Sequence, residues 1–483
     1  MHPTQGLVIA NTRHTTSQDH TFALINYEDD YVQPLIMSAM HELFPEQLWA
    51  LLKPPAAGSD VSLADLIPST ASKVMQITPY ETIDFDYAAT HPESCLINSY
   101  MIRKALIRKH FLSATVETWV AKHPESILKT HVKRSEAFEV DYAEFLDDSL
   151  VEAFELRASL ERNSRTDGEE GIHDGGSVDA AHREWWILKP GMSDRGQGIR
   201  LFSTMDELQT IFDEWEAELP DSDDEEDGGN DEGGGVDDGD ARPGREVDKD
   251  YITTSHLRHF IVQPYIDPPL LLDNRKFHIR TYVLAVGSLR VYVYKHMLAL
   301  FAAKPYNPPW KMDDGTGANI DLDAHLTNTC LQGPEARADS VARFWDLPLP
   351  PLAGRDSPHD FIFSQICQVT GEVFEAAARG MMVHFQPLAN AFEVFGLDFL
   401  VDAAGTTWLL EINAFPDFKQ TGDDPSLRDI VGGFWADVLR LAAGPFMASS
   451  SNRLSDADGH HCENDKLQVD DMVPVRDVDL GRR

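Results

Sequence analysis

Alternation of apolar and polar positions marks strands at several places along the chain. Trp185–Leu188 runs into Pro190 and Gly191, and His259–Val262 precedes Pro264 and the Pro268–Pro269 pair. Between Lys276 and His296 two β-rich runs flank Val286-Gly287-Ser288-Leu289, which reads as a hairpin turn. A last hairpin joins Phe395–Val401 to Trp408–Asn413 through residues 402–407. The stretch Phe361–His384 has helical character, and a helix begun near Met205 finishes around Phe212 and Trp215. Strands, helices and antiparallel hairpins in this mixture predict an α/β fold of the mixed α+β kind rather than a doubly wound parallel sheet.

Composition narrows the function classes. The chain has 483 residues, 42% of them hydrophobic, enough for two to four structural units with a sizeable core. Its formal net charge of −39 argues against direct nucleic-acid binding and against docking on anionic membranes. The acidity is uneven. Residues 213–240 hold fifteen Asp/Glu and no Lys/Arg among many glycines, which reads as a disordered insertion over about 213–248. Residues 101–135 run the other way, with eight Lys/Arg against Glu117 and Glu125. The segment from about 447 to 483 is polar and reads as a disordered tail. Cys95, Cys330, Cys367 and Cys462 show no CxxC pairing, so a reducing compartment is expected. No signal peptide is evident, and Asp437 and Arg440 interrupt the most apolar C-terminal run, which leaves a cytoplasmic protein as the expectation.

Chemistry enters with the two hairpins. Side chains alternate faces along a strand, so Glu411 and Asn413 point the same way. A turn centred between Ala404 and Gly405 sets Asp398 directly across from Glu411. Two facing carboxylates beside an amide suit Mg²⁺, an oxygen-seeking cation that also bridges phosphates. Lys276, His278 and Arg280 share one face of the earlier hairpin, and a turn at Gly287–Ser288 pairs Arg280 with Lys295. Like charges opposite one another destabilise a sheet unless an anion lies between them, and a triphosphate meets that need. After the Trp185–Leu188 strand, Lys189-Pro-Gly-Met-Ser-Asp-Arg-Gly-Gln-Gly198 supplies a glycine loop able to approach phosphates closely.

Together these elements describe an ATP–Mg²⁺ site of the ATP-grasp kind. The chain resembles the tubulin–tyrosine ligase family through Trp-Ile-Leu-Lys-Pro, Arg-Gly-Gln-Gly-Ile, Val-Gln-Pro-Tyr-Ile, Arg-Lys-Phe-His-Ile-Arg, His-Leu-Thr-Asn and Leu-Leu-Glu-Ile-Asn, in family order between about 96 and 416. The resemblance implies an N-terminal α/β domain over 1–95 and ATP-grasp subdomains over 96–270 and 271–446. It implies ATP-phosphate contacts by Lys104 and Lys189, with Gly196 and Gly198 in the loop above them. Gln263, Tyr265 and Ile266 would line the adenine pocket. Lys276 and Arg280 would neutralise phosphate and hold an acyl phosphate, with Glu411 as the third catalytic group. Thr327 and Asn328 would lie beside nucleotide and amino acid, and Asp398, Glu411 and Asn413 would bind magnesium. The implied reaction joins a free amino acid, tyrosine first, to the C-terminal carboxylate of tubulin or another protein. The alternatives are another amino acid or acceptor, or a weakly catalytic ATP-binding scaffold that recruits partners through the acidic insertion. Three positions depart from the family: His278 for an Asp, Pro264 for a Lys, and Lys295 for an Arg. An acidic acceptor would be repelled by so acidic a chain, so either docking uses the basic 101–135 segment or the acceptor is not a tubulin tail.

Overall fold

The structure, a computed structural model, describes residues 20–55, 61–168, 183–191, 196–217, 259–311, 320–327, 340–352, 354–422, 424–448 and 469–481. The acidic run beyond Ala217 lies outside the described residues, as do Asn328, Cys330 and Cys462.

Three sheets are formed by the described residues. Strands β1 (Thr21–Ile25), β2 (Trp49–Leu51), β3 (Lys73–Ile77) and β4 (Cys95–Ile97) form a parallel sheet in the order β2-β1-β3-β4. Helix Val32–Leu43 turns Val32, Ile36, Ala39 and Met40 inward, into one core with helix Pro425–Val438. The first sheet is therefore welded to the C-terminal part of the chain rather than standing apart. Pro425–Ala448 is the one helical stretch among the described residues apolar and long enough to cross a membrane, but 61% of its most apolar window is buried in this core.

The second sheet is antiparallel, with β5 (Glu136–Glu139), β6 (Trp186–Pro190), β7 (Arg200–Phe202) and β8 (His259–Pro264) in the order β5-β8-β6-β7. Helices Phe154–Gly168 and Met205–Ala217 close its core through Leu156, Leu160, Leu208, Ile211, Phe212 and Trp215. The spacing of the last four, three or four residues apart, is the helical period that sets one face against a sheet. Residues 213–217 of the expected insertion thus belong to an ordered helix, because Trp215 is 2% exposed and anchors them.

The third sheet has eight strands: β9 (Leu271–Leu272), β10 (Arg275–Val286), β11 (Arg290–Tyr294), β12 (Leu298–Phe301), β13 (Val341–Arg343), β14 (Phe392–Val401), β15 (Thr407–Ala414) and β16 (Met472–Asp477). Helix Pro358–Gly380 covers one face with Ile362, Ile366, Val369, Val373 and Phe374, and starts on a proline placed in the first turn, where a missing N–H costs nothing. The long strand β10 is buried almost throughout and pairs with β11 and β12 on one side and β14 on the other.

Two expectations are corrected here. The segment 447–483, expected to be a disordered tail, contains strand β16, which pairs with β11 and buries Met472. Arg280 also does not face Lys295. The hairpin closes as Val286 opposite Arg290 around Gly287 at φ +63°, one residue longer than a two-residue turn, and β11 stops at Tyr294. Arg280 instead lies between Leu298 of β12 and Asp398 of β14.

Candidate active site

Strand β14 carries the expected pairing: Asp398 lies directly opposite Glu411 of β15. A bulge follows at once, and it turns both Leu410 and Glu411 to the same cavity. Asn413 stands beside Glu411 and donates from Nδ2 to Oε1 at 3.0 Å. The cavity lies between the second and third sheets, with Lys189, Gly196 and Gln263 on one wall and Lys276, His278, Thr327, Asp398, Glu411 and Asn413 on the other. Pro264, Tyr265 and Ile266 close the end where the chain passes between the sheets.

Lys276, buried, and Lys189, half-buried, are both held as hydrogen-bond donors. Lys189 reaches Gln263 Oε1 at 3.1 Å, and Gln263 in turn donates to the Lys133 carbonyl at 2.9 Å. Burial lowers the Lys189 pKa to about 8, with Glu411 opposing the drop and Lys109 adding to it. Lys276 donates to the Tyr265 hydroxyl at 3.0 Å, and burial together with the Lys189 charge brings it to about 7. Two ammonium groups sharing one cavity call for an anion.

Arg280 behaves differently from the free phosphate-binding cation the sequence suggests. Its Nε donates to Asp398 Oδ1 at 2.6 Å and one terminal nitrogen to Oδ2 at 3.0 Å, while the other reaches Gln420 Oε1 at 3.1 Å. Burial alone would raise the Asp398 pKa, but the Arg280 guanidinium and His278 outweigh it and hold the carboxyl well below the usual range. Room for the Arg280 stem comes from Gly396, where an added Cβ would sit 2.7 Å from Pro416 Cβ and 3.4 Å from Arg280 Cδ. His278 joins the same network, with Nδ1 2.6 Å from Thr327 Oγ1 and Nε2 3.5 Å from Asp398 Oδ1.

Other expected residues fall unevenly. Gly196 lines the cavity at φ +81°, in backbone that only glycine adopts easily, whereas Gly198, at φ +68°, does not reach it. Asn328 lies outside the described residues. Lys104 is exposed and away from the cavity wall; Lys109, at the start of helix Lys109–Lys122, is there instead, 3.9 Å from Glu411 Oε2. The basic 101–135 segment is not one face: Arg103 is buried against Glu393, Lys133 stacks on Trp408 at 3.9 Å, and Arg134 pairs with Glu155. Lys295 lines a separate depression with Arg343 and Trp345. Lys109, Ile187, His325, Leu400 and Leu410 are wall residues that motif reading missed. His325 opens the quoted His-Leu-Thr-Asn stretch, which is the signal that was there to use.

A four-stranded antiparallel sheet closing with a larger antiparallel sheet on a lysine-lined cavity is the ATP-grasp architecture. The family model described as the tubulin-tyrosine ligase family matches residues 95–451, and the chain belongs to that family. A probable tubulin–tyrosine ligase of Schizosaccharomyces pombe is 42% identical over 433 residues, covering 90% of this chain and 94% of that protein. The probable tubulin–tyrosine ligase PBY1 of Saccharomyces cerevisiae is 44% identical over 388 residues, 80% of this chain but 47% of that protein. Among solved structures, the C-terminal domain of K. lactis Pby1 superposes with a TM-score of 0.60 at 31% identity, covering 95% of this chain and 99% of that one. It is described as an ATP-grasp enzyme interacting with the mRNA decapping enzyme Dcp2. Family and fold together are those of ATP-dependent ligases.

Proposed function

We propose that the protein joins an amino acid, tyrosine first, to the C-terminal carboxylate of a protein acceptor at the expense of ATP. The observation that supports this best is one cavity in which Lys189, Lys276 and Lys109 converge with Glu411 and Asn413. Attack of a carboxylate on a phosphate is opposed by repulsion between anions, and fixed ammonium groups remove that barrier. The acyl phosphate so formed is then open to the amine of the incoming amino acid, with no enzyme nucleophile required.

The donor set fits magnesium. Glu411 and Asn413 offer oxygen donors at the wall, and Asp398 does so only by loosening its bidentate pair with Arg280. No cluster of three or more His, Cys, Asp or Glu suited to a metal occurs among the described residues, so phosphate oxygens would complete the coordination. Bound there, the ion would draw charge from the transferring phosphoryl group. Arg280 then acts as the residue that orients Asp398 across from Glu411.

The acceptor and amino acid are tested directly by ADP release from purified protein with MgATP, tubulin, and tyrosine, glutamate or glycine in turn. Tyrosine-dependent release supports the proposal. Release with glutamate or glycine alone moves it toward the chemistry named for more distant relatives, a polyglutamylase and a polyglycylase. MgATP binding without release under any condition overturns the ligase reading. The K. lactis relative is described as contacting a decapping enzyme, which makes a non-tubulin acceptor the reading to pursue if tubulin fails.

Nucleotide affinity should also depend on pH. Lys276 and Lys189, brought to about 7 and about 8 in the free protein, regain their protons against a polyphosphate. Binding therefore takes up protons and weakens as pH rises through those values, by up to roughly 60-fold from pH 7 to 8.5 when both lysines must be charged, on linkage grounds. Lys276→Arg stays charged throughout and should flatten the slope relative to wild type. Calorimetry in buffers of different ionisation enthalpy reads the uptake, and equal slopes for both proteins would remove Lys276 from the linkage.

A further inference from the structure

His325 is 2% exposed and forms part of the cavity wall. Its Nδ1 lies 2.9 Å from the Tyr265 hydroxyl, the same oxygen that receives the Lys276 ammonium at 3.0 Å. The ring meets Tyr265 and Tyr306 edge-on, with centroids 5.8 and 5.5 Å away. One polar atom is left over: Nε2 is buried with no hydrogen-bond partner among the described residues. Leaving a buried imidazole nitrogen without a partner is costly, and native proteins rarely keep such an atom without a use. Burial and the nearby Lys276 charge push the His325 pKa down to about 3, so the ring is neutral at any working pH. It therefore contributes a hydrogen-bonding nitrogen and no charge.

The position of the ring points to one part of the ligand. Tyr265 packs in a small apolar cluster with Trp185, Leu201 and Ile187, bordered by Tyr306 and Trp310. Such an environment suits a base and sugar, whereas the phosphates belong with Lys189 and Lys109. We propose that His325 is a specificity-determining residue whose Nε2 hydrogen-bonds a polar atom of the nucleoside half of bound ATP. The inference rests on the nucleotide reading of this cavity, and goes beyond it by assigning the discriminating contact.

Calorimetric titration with MgATP, Mg–2′-deoxy-ATP, Mg–3′-deoxy-ATP and MgGTP tests it on the full chain. His325→Leu should weaken MgATP about tenfold, equivalent to about 1.4 kcal/mol. His325→Gln, whose amide nitrogen or oxygen takes up the place of Nε2, should stay within about threefold of wild type. One analogue should lose its penalty in His325→Leu, and that analogue marks the atom read. Equal weakening in the Leu and Gln variants makes the ring structural and overturns the proposal, as does unchanged penalties for all three analogues. Should His325→Leu fail to fold, His325→Phe keeps an aromatic ring without a polar atom and carries the same expectations. Lys189→Ala separates the two levels. If wild type binds MgATP and Lys189→Ala does not, a silent His325→Leu sinks this assignment alone. If wild type fails to bind, the nucleotide reading falls with it.

Discussion

Glu411→Gln should abolish amino-acid-dependent ADP release, lowering turnover by roughly 10²–10³-fold or more, the usual loss when one charge-stabilising group is removed from a reaction centre. The substitution is nearly isosteric. The Glu411 side chain is 31% exposed, and the amide oxygen can still accept from Asn413, so the fold should not notice. What disappears is the negative charge at the cavity wall, which the proposed cation needs and which Lys109 faces at 3.9 Å. Thermal denaturation within a degree or two of wild type, together with lost turnover and a raised magnesium requirement, is the expected pattern. Unimpaired turnover at ordinary magnesium would refute the assignment of Glu411 as a metal ligand. Loss of turnover with loss of the thermal transition would instead make it structural.

The contrast between the two hairpins explains how much could be read in advance. Counting back from a turn puts Asp398 opposite Glu411, but the pairing holds only through a bulge: Val401 opposite Thr407 would by itself set Asp398 against Leu410, and the extra residue moves Glu411 into place. The same reasoning applied to Arg280 fails by one residue at Gly287, and a slip of one residue turns a side chain to the other face. The true partner of Arg280 comes from a strand 118 positions later, and no local pattern announces that pairing. Strand β16 escaped for a related reason. It is a short edge strand interrupted by Pro474 and ending in Arg476 and Asp477, so it looks like tail until β11 is beside it.

Lys104 and Lys109 show a second limit. Both are cations in a basic stretch, five residues apart, and composition cannot tell which one turns inward. The break between the short helix Lys104–Ile107 and helix Lys109–Lys122 decides it, since Arg108 leaves helical geometry with ψ 123° and restarts the second helix with Lys109 at the cavity. The wall residues Ile187, Leu400 and Leu410 look like ordinary strand positions for the same reason: an apolar side chain facing a ligand and one facing a core read alike. The net charge of −39 still weighs against an acidic acceptor, since residues 218–258 account for only −11 of it. The cations that matter are gathered inside the cavity, while the excess acid over 218–258 lies outside the described residues.

Arg280→Met should cost about 3–5 kcal/mol of stability, the penalty of leaving a buried carboxylate without its partner. Asp398 is 5% exposed and loses both of its short contacts, while His278 at 3.5 Å is too distant for a strong replacement. The pH dependence gives the loss a signature. In the wild type the Asp398 pKa is depressed, so the pair's contribution is present above the ordinary carboxylate range and fades only as pH falls through the lowered value. Without Arg280, burial dominates and the carboxyl pKa rises above that of the unfolded chain. The variant should then gain stability, relative to wild type, as pH drops from 7 toward 5, because protonation removes the buried charge. Urea denaturation at several pH values reads the difference. Replacing both partners, Arg280→Met with Asp398→Leu, should recover most of the lost stability, since a matched apolar pair often substitutes for a buried ion pair. The double variant should nonetheless remain without turnover. If the single variant is as stable as wild type at pH 7, the bidentate pair does not support the fold. If the double variant turns over ATP, neither residue takes part in the chemistry.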